Sequence, residues 1–250
     1  MSVNATKLIS DLAPYARMTV ADGVTIGNLV FSSAQTIYST GLIAAGGAGI
    51  LSANSQVTLF SGAVGAAGSQ GYAAGATLTE SETNFFDSDG RLGSNECFVG
   101  IRCGFTVYRR SSNALASTET VNHIGDVSAL HGLLDSLSWE WNPGDTINRI
   151  IGPIGDYPAG GGVYGHNIIG EIPAPPPGST GANGATNGYP SYATFRKLPL
   201  PIVWKPNIRT QVKVSCGSGF TSPAGLTAWA DTDFIAIRMT VQGVKFTMPV

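Results

Sequence analysis

Alternation of apolar and polar residues is the dominant pattern along the chain, and it predicts β-strands. In CFVGIRCGFTVY (97–108), the odd positions from Cys97 to Val107 are apolar, and most even positions are small or polar. The same period recurs in LSWEW (137–141) and IRTQVKVSC (208–216), and more weakly at 29–38, 55–61, 147–154 and 198–204. A period of two turns one face of a strand towards a core, which is typical of antiparallel sheets.

The last strand pattern changes face part-way along its length. In DFIAIRMTVQGVKFTM (233–248), the apolar residues occupy odd positions before Gly243 and even positions after it. Such a change at a glycine predicts a β-bulge or a crossing between sheets at this point.

Helical spacing is confined to two short stretches. One is the N-terminal NATKLISDLAPYARM, with Asn4 as a capping residue and Pro14 as a disturbance. The other is DVSALHGLLDSL (126–137). Long connecting segments are predicted at about 111–135 and 157–190. The second contains the stiff proline run IPAPPPG, and the sequence leaves open whether it contacts a neighbouring subunit or is simply exposed.

These patterns predict an all-β protein, an antiparallel β-sandwich with about eight strands and few short helices. A jelly roll is the favoured architecture, and one elaborated jelly roll fits 250 residues better than a double one. We expect an N-terminal arm with a short helix at 1–22 and the sandwich with its long loops at 23–250.

The composition is poor in charge. Asp, Glu, Lys and Arg make up 12% of the chain, about half of the roughly 25% usual in soluble proteins. This favours a surface covered by copies of the same chain over a secreted monomer with a polar but uncharged surface.

The 14 basic residues are scattered and the net charge is −2, so direct nucleic-acid binding is not expected.

Three cysteines without a CxxC motif predict buried free thiols. Cys97 and Cys103 lie six residues apart in one strand pattern, about 20 Å, whereas a disulfide needs Cα atoms within about 7 Å. Cys216 could pair with either, but free thiols are favoured and suit a reducing compartment.

An acidic cluster precedes the strand pattern at 97–108. Asp87, Asp89 and Glu96 are weak candidates for a metal site, because Gly90 comes too early for an EF-hand loop. A turn that leads into the strand is the favoured interpretation, with Gly90 and Gly93 supplying positive φ.

Catalytic motifs are lacking. His123, His131 and His166 are isolated, and Ser218 lacks the GxSxG frame. Glycoside hydrolysis needs two carboxylates near one cleft, and the 16 acidic residues permit such a pair. We predict a protein that is not an enzyme and that needs no cofactor; a β-sandwich hydrolase ranks third among the interpretations.

Four segments within residues 83–248 carry a resemblance. They are TNFFDSDGRLGSNECFVGIRCGFTV, WEWNPGDT, LPLPIVWKPNIRTQVKV and DFIAIRMTVQGVKF. In strand spacing and in the P-x-P-x-x-W-x-P-N phrase, the chain resembles the jelly-roll major capsid proteins of tailless icosahedral bacterial or archaeal viruses, including membrane-containing types.

The resemblance implies a structural protein of the virion that self-assembles in the host cytoplasm. Its partners would be copies of itself in a trimer or hexagonal capsomer, other capsid proteins and, in the membrane-containing types, an internal membrane. Our candidate subunit contacts are Leu8, Ile9, Leu12, Pro173, Pro175, Pro176 and Pro177. The alternative is a carbohydrate-binding or adhesive β-sandwich domain, with Trp229 and Tyr164 as exposed aromatic candidates.

Overall fold

The structure is a computed structural model. It describes residues 5–21, 23–45, 51–85, 91–110, 112–113, 121–122, 127–144, 149–159, 164–166, 184–186, 194–221 and 234–248. The helices are α1 (Ala5–Leu12) and α2 (Val127–Ser136). The strands are β1 (Thr19–Ala21), β2 (Val24–Thr25), β3 (Val30–Ala44), β4 (Ser55–Leu59), β5 (Glu96–Arg110), β6 (Val121–Asn122), β7 (Leu137–Pro143), β8 (Arg149–Pro153), β9 (Tyr164–His166), β10 (Gly184–Thr186), β11 (Arg196–Trp204), β12 (Thr210–Cys216) and β13 (Phe234–Thr247).

Eight of these strands form a sandwich whose pairing defines a jelly roll. The first sheet has the order β11-β5-β13-β3, and the second has the order β4-β12-β7-β8. Along the chain, the first of the eight strands pairs with the last (β3 with β13), the second with the seventh (β4 with β12), the third with the sixth (β5 with β11) and the fourth with the fifth (β7 with β8), always antiparallel. This is a long hairpin wound into two facing sheets. The predicted all-β sandwich and single jelly roll are confirmed.

Aromatic side chains fill the space between the two sheets. The Trp204 ring lies edge-on to Phe60 and Phe98, with centroids 5.5 Å apart in both pairs. Trp139 and Trp141 enter the same cluster from β7. The odd residues of LSWEW therefore face the core as the alternation predicts, and the predicted strands and both predicted helices are present.

The first sheet is longer than the second, so part of it has no facing sheet. Strands β3, β5 and β13 have 14 or 15 residues, whereas the strands of the second sheet have 5 to 7. Where the first sheet extends beyond the second, residues 5–29 cover its outer face, the face turned away from the second sheet. At the other end of the sheet, residues 62–80 cover the outer face.

A β-bulge in β5 moves the apolar residues from one face to the other. Gln242 pairs with Arg102 and Gly243 with Gly100, which leaves Ile101 as an extra residue. Cys97, Val99 and Ile101 consequently belong to the cluster under residues 5–29, whereas Cys103, Phe105 and Val107 face the second sheet. The expectation that all these odd positions share one face was wrong, because the inserted residue reverses the alternation.

The bulge also accounts for the pattern of β13. Its odd residues from Ile235 to Val241 face the second sheet, and its even residues Val244 and Phe246 face the N-terminal segment. The side chains of β13 alternate regularly along the whole strand. The apolar ones face the second sheet before Gly243 and the N-terminal segment after it. The predicted bulge lies at the level of Gly243, but the extra residue is in the neighbouring strand.

Two glycines permit the close approach of β5 and β13 at the bulge. A Cβ atom at position 243 would overlap the carbonyl oxygen of Val99, and one at position 100 would press on Val241.

No helix in the described part of the chain is long and apolar enough to cross a membrane.

We predict that Gly243→Ala lowers the free energy of unfolding by about 1–3 kcal/mol, because the added methyl group has no space beside the Val99 backbone. Denaturant unfolding followed by tryptophan fluorescence measures the change. Gly217→Ala is the matched control: its Cβ would meet no atom within 4 Å, so a change below about 0.5 kcal/mol is expected. Equal effects at both positions would contradict this account.

Candidate interaction surface

Helix α1 is part of the chain's own core. Leu8 and Leu12, four residues apart on one face, are buried against Val99, Val244 and Phe246 of the first sheet. The N-terminal segment predicted as an arm thus lies on the sheet. Leu8 and Leu12, proposed from sequence as subunit contacts, are used within the chain, and this part of the prediction needs correction.

Ile9 has the opposite orientation to Leu8 and Leu12. Its side chain is 47% exposed. Of the three N-terminal candidates, Ile9 alone offers a neighbouring molecule a substantial apolar surface.

Asp11 fixes the helix to the sheet through charge. Its carboxylate accepts hydrogen bonds from Arg102 Nη2 at 2.8 Å and Nε at 3.1 Å, and Lys197 Nζ lies 3.5 Å away. Burial would raise the pKa of Asp11, but the hydrogen bond and charge of Arg102, together with Lys197, outweigh it and lower the pKa. The Tyr15 hydroxyl donates to the carbonyl oxygen of Pro199 at 3.2 Å.

An open apolar groove lies between α1 and the start of β3. Its volume is about 280 Å³, and its lining residues are all apolar: Ile9, Leu12, Ala13, Ala16, Ile26, Gly27, Leu29, Phe31 and Phe246. Phe31 is 45% exposed at the groove, and its neighbour Val30 is 58% exposed. Ile9 and Phe31 are therefore exposed together at the groove, and Val30, which does not line it, is exposed next to Phe31 in the strand. Sequence analysis missed Val30 and Phe31, although the unbroken apolar run Leu29–Phe31 marks them.

Strand β3 is an edge strand, and a loop protects only part of its edge. We call residues 60–85 the covering loop. In this loop, the carbonyl oxygen of Glu82 accepts a hydrogen bond from Thr40 N, and that of Gln70 accepts one from Leu42 N, both at 2.8 Å. The side-chain oxygen of Asn84 accepts a hydrogen bond from Tyr38 N, and its side-chain nitrogen donates one to Thr36 O at 2.7 Å. Among the described residues, no backbone group pairs with the outer edge between Ser32 and Thr36.

A second pocket lies where the covering loop meets this open stretch. Its volume is about 360 Å³, and Tyr38, Val64, Glu80, Asn84 and Phe85 line it. Val64 and Glu80 are exposed at its rim. The pocket combines an apolar wall with one carboxylate.

The opposite edge of the same sheet is blocked. Strand β11 carries Pro199 and Pro201, and a large bulge separates its pairs at Lys197 and Ile202. Prolines and bulges prevent another strand from adding to an edge. Leu200 is nevertheless exposed there.

The predicted metal candidates do not form a site in the described residues. Asp87 and Asp89 lie outside those residues. Glu96 begins β5 and pairs with Lys245 Nζ at 2.6 Å. The described part of the chain contains no group of three potential metal ligands. Glu96 N donates to Gly93 O at 3.1 Å, as in a turn, but Gly93 does not have positive φ.

Several other sequence candidates fall outside what the structure describes. These are Pro173, Pro175, Pro176, Pro177, Trp229, His123 and the side chains of Tyr164 and His166. His131 and Ser218 are both exposed, on α2 and after β12, respectively.

The three cysteines are free and buried. Burial raises the pKa of Cys97 to about 12 and also raises that of the fully enclosed Cys103. The sequence prediction of buried free thiols is confirmed.

Comparisons with protein families, curated proteins and solved structures give no match. The described surface offers an apolar groove, an open stretch of strand edge and a second pocket.

We predict that Asp11→Asn lowers the free energy of unfolding by about 1.5–3 kcal/mol at pH 7, the usual worth of hydrogen bonds to a charged group. Because folding lowers the pKa of Asp11, its contribution is complete above the unfolded value of about 3.8 and is lost as the pH falls through the lower folded value. The two proteins should therefore converge below that pH in urea unfolding. Asp135→Asn, an exposed carboxyl on α2, is the control; a pH-independent difference would contradict the assignment.

We also predict that the folded protein resists thiol reagents at pH 8. With a pKa of about 12 for Cys97, only about one thiol in ten thousand would be ionised at that pH. Titration with a chromogenic disulfide should detect almost no thiol in the native protein and all three after unfolding. Rapid native labelling would show that the thiols are accessible.

Proposed function

We propose that this chain is a structural coat protein that assembles with copies of itself into capsomers of an icosahedral virus shell. Three features support the proposal: the single jelly roll, the charge content of 12% and the exposed apolar side chains at the edges of one sheet. Single exposed apolar residues are ordinary on protein surfaces.

The exposure of Ile9 and Phe31 together at one apolar groove is the observation on which the proposal rests. Contiguous apolar surface on a charge-poor chain is typical of an interface between proteins. Leu200 adds an exposed apolar side chain on the opposite edge of the sheet. Contacts on opposite sides of a subunit allow different neighbours to attach, as a closed shell requires.

The coat proposal does not include direct contact with a genome. Several described basic side chains pair with carboxylates of their own chain: Arg102 and Lys197 with Asp11, Lys213 with Glu140, and Lys245 with Glu96. A phosphate-binding surface needs basic groups that are not neutralised in this way. The genome would be handled by other proteins or lie behind an internal membrane, and a genome crosslink to this chain in particles would contradict this part of the proposal.

A carbohydrate-binding or adhesive domain is the rival. It predicts a stable monomer that uses aromatic side chains as sugar platforms. Trp139, Trp141 and Trp204 are buried between the sheets, so none of these three offers such a platform.

A test must separate assembly from folding. Deleting the N-terminal segment would expose the sheet face that Leu8 and Leu12 cover, and both properties would be lost together. Neighbouring point substitutions on α1 are therefore more informative.

We predict that Ile9→Lys weakens self-association at least tenfold, because it places a charge in the exposed apolar groove, while stability changes by less than about 0.5 kcal/mol. Sedimentation velocity over a concentration series measures association, and urea unfolding measures stability. Leu8→Ala is the matched control and should lower stability by about 2–5 kcal/mol. Unchanged association of Ile9→Lys, or a wild-type protein that binds glycans as a monomer, would count against the proposal.

A further inference from the structure

We propose that residues 5–29 form a lid that opens as one unit while the sandwich beneath it stays folded, and that this opening uncovers an apolar face of the first sheet. The inference goes beyond the coat proposal and does not depend on it, because it concerns a single copy of the chain. Such a lid controls whether the chain presents that face to its surroundings.

The backbone of the lid is hydrogen-bonded within the lid. Strands β1 and β2 pair with each other in a sheet of their own. Gly27 N donates to Ala16 O at 2.8 Å, and Ile26 N donates to Met18 O at 3.0 Å. Among the described residues, no hydrogen bond between backbone groups joins the lid to the sandwich. The lid can therefore move away without breaking a ladder of either large sheet.

Side chains attach the lid to the sheet. One attachment is the apolar cluster that Leu8 and Leu12 enter, and another is the ionic cluster of Asp11 with Arg102 and Lys197. The sandwich, in contrast, is held by continuous ladders, since β13 is paired along its whole length with both β3 and β5. Because opening the lid leaves these ladders intact, it costs less free energy than global unfolding.

The apolar groove lies along the seam between the lid and the sheet. Lid residues such as Ile9 and Ala13 form one wall, and Phe31 and Phe246 of the sheet form the other. Along the groove the two walls are separated by about 280 Å³ of open space, so the dispersion contacts that would hold this side of the lid are not made. We expect opening to begin at this seam.

The native cysteines distinguish opening of the lid from global unfolding. Cys97 lies in the apolar cluster under the lid, whereas Cys103 and Cys216 lie between the two sheets. All three are free and buried. Opening of the lid alone would therefore expose Cys97, and the other two thiols would become accessible only when the sandwich unfolds.

Site-resolved thiol labelling of the unmodified protein tests the proposal. The folded protein is incubated with excess N-ethylmaleimide for hours, because the closed form predominates. Trypsin then cleaves after Arg102 and Lys213, which places the three cysteines in separate peptides for mass spectrometry. We expect Cys97 to be labelled at least about tenfold faster than Cys103 and Cys216, since its opening costs less free energy. Equal rates for all three would overturn the proposal.

Two substitutions should act differently on the three thiols. Asp11→Asn removes the ionic attachment and should raise the labelling rate of Cys97 about ten- to a hundredfold. Leu59→Ala, in the core between the sheets, should raise the rates of Cys103 and Cys216 at least about thirtyfold and leave that of Cys97 unchanged. If Asp11→Asn left the Cys97 rate unchanged, Cys97 would be reached by fraying of β5, and the lid proposal would be wrong.

Low concentrations of urea give a second measurement that needs no substitution. The dependence of an opening reaction on urea increases with the surface that the opening exposes. The logarithm of the labelling rate of Cys97 should therefore rise less steeply with urea than those of Cys103 and Cys216. Equal slopes for the three thiols would show that they are exposed by the same global unfolding and would overturn the proposal.

Discussion

The close approach of β5 and β13 at Gly100 and Gly243 is the constraint on which the rest of the structure depends. There the extra residue Ile101 reverses the alternation of β5, so that Cys97, Val99 and Ile101 are buried on the outer face of the sheet, whereas Cys103, Phe105 and Val107 face the second sheet. The outer-face core needs a cover, and residues 5–29 provide it. Leu8 and Leu12 are used in this cover, and Ile9 is left exposed beside the start of β3. The apolar groove thus follows from the packing of the sheet.

Much of the fold could be predicted from local patterns. Alternation in LSWEW and IRTQVKVSC located β7 and β12, and the tryptophans lie between the sheets as expected. Alternation does not say which face is buried, however. The apolar residues of β5 follow one parity throughout, yet they serve two different cores, because a bulge depends on the register with a neighbouring strand that is more than a hundred residues away in sequence.

The surface was harder to predict than the core. Leu8, Ile9 and Leu12 have the same apolar character in sequence, and only the docking of α1 distinguishes the buried pair from the exposed residue. The open stretch of β3 is defined by Asn84, which reaches the edge from a loop about fifty residues further along. Such long-range contacts have no local signal. The run Leu29–Phe31 did carry one, since unbroken apolar residues at the start of an edge strand are unusual without a partner.

The mass of the purified protein over a wide range of concentration and salt tests the coat proposal most directly. Light scattering, with electron microscopy of the same samples, would measure it. The account predicts a mass that rises with concentration to dimers and larger closed or sheet-like assemblies, because the apolar groove is open and no described backbone group pairs with the open stretch of the β3 edge. A single monomeric species under all these conditions, with no assemblies in the images, would contradict it.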